Sequence, residues 1–304
     1  MAAIGYLLTT GWFELILIRV INGVGYVLCT VCMATWMANL LPRKNMGSGM
    51  GMYGLMNALC MAISPALGIY LYQHVGYRAA FIACAIASVL MISLVQLVSD
   101  HGQPLAKTEV KVVKHRPRII QPQVLPVSLI IMLFALPYFA TQAYIVTYVA
   151  DLHTPVAVGS FFPIYAVILL GLRLALKNLF DSVAFGRFLY ASLGFTMVGL
   201  LALTHLVNNW WMLLAAFGLA AGYGLMFSIC QATALLIAPM SQQGLANSTF
   251  YIGMDLGMAL GPIIGGLIRS ALPVMWFYPV MMITLPLIWA VYFFNRRTLD
   301  HVLS

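Results

Sequence analysis

The sequence predicts an all-α, polytopic membrane protein built as two pseudo-symmetric helix bundles, the first of them incomplete. Composition is the first reason. Of 304 residues, 63% are hydrophobic and only 7% charged, whereas a soluble domain carries about 25% charged residues. No soluble core hides that much apolar surface, so the solvent is lipid. The second reason is continuity. The apolar runs are unbroken over about 20 residues or more, not alternating over segments of roughly ten as in a β-barrel. The third reason is an internal repeat, described below.

In chain order, the opening MAAIGYLLTT is too short to span, since a crossing needs about 20 residues. It lacks the basic start and cleavage site of a signal peptide and reads as the end of a helix. Nine spanning segments are then expected at 13–40, 49–73, 79–98, 124–150, 155–176, 187–206, 210–237, 244–269 and 274–294. The longest polar connection, 99–123, carries Lys107, Lys111, Lys114, Arg116 and Arg118. It reads as a linker between bundles. The net charge of +8 does not imply nucleic acid, because this loop has no aromatic side chain to stack on a base.

Alternate loops are basic. Arg43 and Lys44, the 99–123 linker, the group Arg173, Lys177 and Arg187, and finally Arg296 and Arg297 fall on one side, against Arg78 and Arg269 on the other. The basic side is cytoplasmic by the positive-inside rule, which puts the C-terminus inside, with the plasma membrane as the expected location. The expected domains are the remainder of an N-terminal bundle at 1–98, the linker at 99–123, a six-helix bundle at 124–296 and a tail at 297–304.

The repeat appears on shifting the chain by 197 positions without a gap. Gly25 and Tyr26 fall on Gly222 and Tyr223, Pro42 on Pro239, Gly47 on Gly244, Pro65 on Pro262 and Gly68 on Gly265. Matched Gly and Pro mark matched backbone needs, close approach or a kink. Both copies share one orientation, as in transporters with parallel repeats. The offset places the expected start of the first half before Met1, so roughly 70–80 residues, about two helices and part of a third, are expected to precede it.

Five cysteines include the pair Cys29 and Cys32. With no second CxxC and no nearby His, they read as small packing residues rather than a metal or redox pair. Met46, Met50, Met52, Met56 and Met61 read as adaptable packing. No metal and no cofactor are expected.

Three stretches carry a resemblance. RVINGVG, Arg19–Gly25, has Arg, three residues, then Gly-x-Gly. GLRLALKNLFDSVAFGR, Gly171–Arg187, has the form of a loop between two helices. GMDLGMALGPIIGG, Gly253–Gly266, is rich in Gly and Pro. Together they resemble the fourth-helix motif, the second copy of the loop motif and the eleventh-helix pattern of the major facilitator superfamily, in particular its drug-efflux members of twelve helices. The resemblance makes the nine segments helices four to twelve. The antiporter pattern Gly-x-x-x-Gly-Pro-x-x-Gly-Gly belongs in the fifth helix, where only Pro65 and Gly68 match. It is complete in the eleventh, as Gly257, Gly261, Pro262, Gly265 and Gly266. Gly23 and Gly25 belong to the fourth-helix motif, and Ser182 stands where the loop motif has a basic residue.

The charges within apolar runs are the candidate coupling residues. Arg19 lies about a turn and a half into its segment. At membrane depth it either faces a pathway or snorkels to the outer headgroups beside Glu14. The resemblance implies that it couples proton binding to substrate movement. Asp255 lies midway along 244–269, where burial disfavours a charge. It either protonates reversibly during transport or bonds a neighbouring helix as structural glue. By resemblance, Asp181 and Arg187 hold one conformation closed. Asp151 and His153 read as a solvated outer helix end.

The resemblance makes helices four, seven and ten line a cavity, which gives Asn22, then Tyr138, Thr141, Gln142 and Tyr144, then Gln231 as pathway candidates. Each equally suits a hydrogen bond between helices. The expected function is proton-coupled efflux of a small molecule, hydrophobic or amphipathic, by a monomer that rocks two bundles. Its partners are the substrate, protons and the lipid bilayer, without nucleic acid. A proton or cation symporter for uptake, or a non-transporting relic or regulatory membrane protein, are the alternatives. No nucleophile triad, phosphate-binding loop or soluble domain points to an enzyme.

Overall fold

The computed structural model describes residues 5, 6, 9, 11–42, 45–98, 120–176, 183–239 and 242–300. The described residues are helices joined by turns, with no strand among them. The helices are α1 (Trp12–Leu40), α2 (Met46–His74), α3 (Tyr77–Val95), α4 (Leu125–Leu152), α5 (Phe161–Leu176), α6 (Phe185–Thr204), α7 (Asn209–Leu219), α8 (Leu225–Ile237), α9 (Gln243–Ala271), α10 (Phe277–Met281) and α11 (Thr284–Asp300). Eight helical stretches among the described residues are long and apolar enough to cross a membrane. The segment expected at 49–73 corresponds to α2, 29 residues long. The protein is thus all-α and polytopic.

Local chemistry explains the ends. Gly76, at φ +100°, turns the chain between α2 and α3 in a conformation that favours glycine. Asn208 caps α7 by accepting from the backbone N–H groups of Trp210 and Trp211 at 3.0 and 3.3 Å. The chain from Asn209 to Ile237 is one span, but α7 and α8 meet in a π-helical turn at Ala220–Gly224. Such a turn inserts a residue into the ladder and is frequent at functional sites. Helix α11 runs on through Arg296 and Arg297 to Asp300, beyond the span expected to end at 294.

By contacts the chain divides into two compact units. One comprises Met1–Asn39 and Cys60–Arg116. Within it the Tyr6 ring stacks on Phe81 at 5.2 Å, and Tyr77 meets Phe81 edge-on at 6.5 Å. The most apolar windows of α1 and α3 are 0% buried. Apolar side chains such as Trp12 are exposed there.

The other unit comprises Leu40–Leu59 and Pro117–Ser304. Its axis is α4, where 78% of the most apolar window is buried. Ser128 Oγ donates to the Thr249 carbonyl at 2.6 Å, and the Gln121 N–H donates to Thr249 Oγ1 at 2.9 Å, which ties the start of α4 to α9. Tyr148 OH donates to the Leu203 carbonyl at 3.2 Å and ties α4 to α6. Helices α6 and α7 cross at two glycines. A Cβ on Gly218 would lie 2.5 Å from the Gly199 backbone, and one on Gly199 would lie 3.0 Å from the Leu219 nitrogen.

Candidate functional site

The glycines of α9 form its contact with α4. Gly253, Gly257, Gly261 and Gly265 recur every fourth residue, so they share one helix face. A Cβ on Gly257 would lie 2.6 Å from the Met132 carbonyl oxygen, and one on Gly261 would lie 2.7 Å from the Leu136 oxygen. A Cβ on Gly253 would collide with Ser128. Further along, the Tyr144 ring lies 3.0 Å from where a Cβ on Gly265 would stand, and its hydroxyl 2.8 Å from one on Gly266. This is the small-residue packing that lets helices approach closely in lipid. Pro262 lies within the same run.

A polar stripe runs along a neighbouring face of α9. Gln243, Asn247, Tyr251 and Asp255 also recur every fourth residue. Gln231 of α8, 0% exposed, donates from Nε2 to Asn247 Oδ1 at 3.3 Å and to Tyr251 OH at 3.1 Å. Its Oε1 is buried without a partner. Asp255 is one turn beyond Tyr251 and half-buried near the middle of α9. Among the described residues no hydrogen bond or ion pair holds its carboxylate. Gln231 and Asp255 thus end up on one side of the α8–α9 pair, with Asn247 and Tyr251 between them in the helix register. Asn247 and Tyr251 were not anticipated from the sequence, although their four-residue spacing from Asp255 is visible there.

The second polar group surrounds Arg173. The sequence places this residue among the basic loops; the structure corrects that. Arg173 is 2% exposed, in the last turn of α5. Its Nη1 donates to the Gly51 carbonyl of α2, and its Nη2 to the Gly224 carbonyl at 2.7 Å. Gly224 closes the π-helical turn. Ser192 Oγ donates to the carbonyl of Ala221 in the same turn at 3.2 Å. Arg173 Nε and Ser228 Oγ are buried without partners. A buried guanidinium costs several kcal/mol unless polar groups surround it. Here carbonyl dipoles and phenols do so. Tyr138 stacks on Tyr223 at 4.6 Å and lies 5.1 Å from Tyr165. The signal missed in the sequence is the stripe Phe161, Tyr165, Leu169, Arg173, spaced every fourth residue and buried throughout.

The remaining candidates are more scattered. Thr141 is 0% exposed and its hydroxyl donates back to the Pro137 carbonyl at 2.7 Å. Tyr138 is buried in the aromatic cluster, and Gln142 is half-buried. Arg19 is exposed, its guanidinium 5.5 Å from the centre of the Tyr6 ring. Asn22, Gly23 and Gly25 are exposed, and among the described residues a Cβ on Gly23, Gly25 or Gly68 would meet nothing within 4 Å. Asp181 lies outside the described residues, as does the side chain of Pro65. Arg187 is exposed at the start of α6. Asp151, expected to be merely solvated, is ion-paired with Arg269 at 2.6 Å, and Arg269 also donates to Thr147. His153 ends α4 in the left-handed region at φ 53°.

The family model described as Major Facilitator Superfamily matches residues 1–209 and 186–304. The chain belongs to the Major Facilitator Superfamily. No curated protein matches it. Membership makes it an integral membrane protein of a family of secondary transporters, proteins that bind small solutes in a lipid bilayer rather than transform them. Among the described residues, no cluster of His, Cys, Asp or Glu has the grouping of a metal site.

Proposed function

We propose that this facilitator exports a small molecule in exchange for protons, by alternating access of two bundles, with its C-terminus on the cytoplasmic side of the plasma membrane. The observation that carries the reading is Asp255. It is a half-buried carboxylate at mid-helix, without a partner among the described residues and aligned with the Gln231–Asn247–Tyr251 network. A carboxyl group in such a place changes charge more readily than one locked in an ion pair. A substrate that competes with the proton there is exported as the proton enters. Arg19 and the pathway candidates Asn22, Tyr138, Thr141, Gln142 and Gln231 take part in recognition and coupling, while Asp181 and Arg187 hold one conformation closed. The aromatic lining around Tyr138, Tyr165 and Tyr223 suits a flat or amphipathic substrate. The alternation of basic loops supports the orientation.

The test is transport in inside-out vesicles that contain the protein. Ethidium, a lipophilic cation, is followed by fluorescence while a pH gradient is imposed. Acid-inside vesicles are expected to accumulate the dye, and an ionophore that dissipates the gradient stops them. Flux indifferent to the gradient sinks proton-coupled export.

A further inference from the structure

We propose a second binding site, for a phosphate group, where α6 begins and α11 ends. A cavity of about 530 Å³ is lined there by Arg187, Arg296 and Arg297 together with Tyr190, Tyr292 and Asp300. Three arginines and one acid line it, and both oxygens of the acid's carboxylate are engaged. Asp300 Oδ1 accepts from the Gly186 N–H at 3.0 Å, and its Oδ2 accepts from Tyr292 OH at 2.8 Å. Among the described residues no ion pair holds any of the three arginines; the one such pair is Arg269–Asp151. Gly186 is part of the design, because a Cβ there would collide with the Tyr292 hydroxyl.

An arginine fork matches the oxygens of a phosphate and binds them by charge-assisted hydrogen bonds. Basic pockets between helix ends are the form that headgroup sites take. The surroundings favour a phosphate carried on a lipid. Trp289 and Phe293 stack at 5.3 Å and are 47% and 46% exposed, and Phe294 is 83% exposed. The Arg296 guanidinium stands 5.6 Å over the Phe293 ring. An apolar, acyl-facing surface therefore runs directly into the cationic cavity. The cavity shares no residue with the Gln231–Asp255 and Arg173 groups, though it shares Arg187 with the proposed closing contact, and lipid retention reads its occupancy without a transport assay.

The experiment uses the full chain purified in a neutral detergent. Retention of phosphatidylglycerol is compared with that of phosphatidylcholine by native mass spectrometry, with and without inorganic phosphate as competitor. Phosphatidylglycerol is expected to be retained about tenfold more tightly than phosphatidylcholine. The triple variant R187Q/R296Q/R297Q is expected to lose that preference, and the triple lysine variant to keep part of it. If the glutamine triple fails to fold, the three single variants replace it, each expected to weaken retention. Inorganic phosphate that displaces the lipid, or binds in its place, keeps the phosphate site and assigns its source to solution. Inorganic phosphate without effect assigns it to the lipid. Equal retention of the two lipids with no phosphate binding, or an undiminished preference in the glutamine variants, overturns the site.

Discussion

Among the described residues, the two copies of the repeat stand in different surroundings. Gly25 and Gly222 correspond, as do Gly68 and Gly265. In the first copy, a Cβ on Gly25 or Gly68 would touch no described residue within 4 Å. In the second, a Cβ on Gly222 would collide with Thr196, and one on Gly265 would press on the Tyr144 ring. Cys60 and Ser64 of the first copy are exposed, while the corresponding Gly257 and Gly261 have no room for even a methyl group against the α4 backbone. Val27 is 45% exposed; the corresponding Gly224 is buried, and its carbonyl holds Arg173. A glycine is a packing device only where another backbone comes within contact. The glycines of the α9 run therefore form the α4–α9 seam.

Substitution breaks this comparison most sharply at the seam. In G261V, branched methyls would have to enter between the Leu136 oxygen and the Ala140 nitrogen, 2.7 and 3.1 Å from the Cβ position. Backbone cannot step aside as a flexible side chain can. Overpacking of this kind costs about 1–3 kcal/mol or more, and thermal unfolding in detergent is expected to show a clearly lower midpoint. A wild-type midpoint would break the seam assignment. The next effect is at the π-helical turn. R173K keeps the charge but loses the planar fork that reaches Gly51 and Gly224 together. Losing one charged hydrogen bond there costs about 1.5–3 kcal/mol, again read as an unfolding midpoint, and a neutral result would remove Arg173 from the account. At the exposed end of the seam, D151N removes the pair with Arg269, whose side chains are 36% and 25% exposed. The expected loss is below about 1 kcal/mol and shrinks in high salt. G68A has the smallest effect, a gain of no more than about 1 kcal/mol from helix propensity. Destabilisation at Gly68 would mean that the first copy is packed like the second.

Much of the fold was legible because length and apolarity alone define a spanning helix. The expected 210–237 and 244–269 agree with the observed span at 209–237 and with α9 at 243–271 to within two residues. The segment expected at 155–176 starts late because Val158–Ser160 form a separate turn before α5. The glycine run on α9 was visible as a run, though its partner α4 was not. Sequence spacing fixes a helix face but not what lies against it.

The site was less legible. Arg173 looked like one more basic loop residue because its acceptors are backbone carbonyls, which leave no mark in the sequence. The π-helical turn that presents one of them has no residue signature beyond its glycines. Asp151 finds its partner 118 residues away in sequence. Asp255, by contrast, was visible as an acid in the middle of an apolar run, and the structure leaves it half-buried at mid-helix.

The proposed coupling role of Asp255 has a direct test. If substrate and proton compete at this carboxyl group, binding must release protons, since linkage between two ligands is reciprocal. Ethidium is added to the detergent-purified chain in weakly buffered solution, and the pH is recorded with an indicator dye. The wild-type protein is expected to release on the order of one proton per chain, and D255N none, while the variant still binds the dye. Equal proton release from both proteins, or none from the wild type despite bound ethidium, would contradict the account.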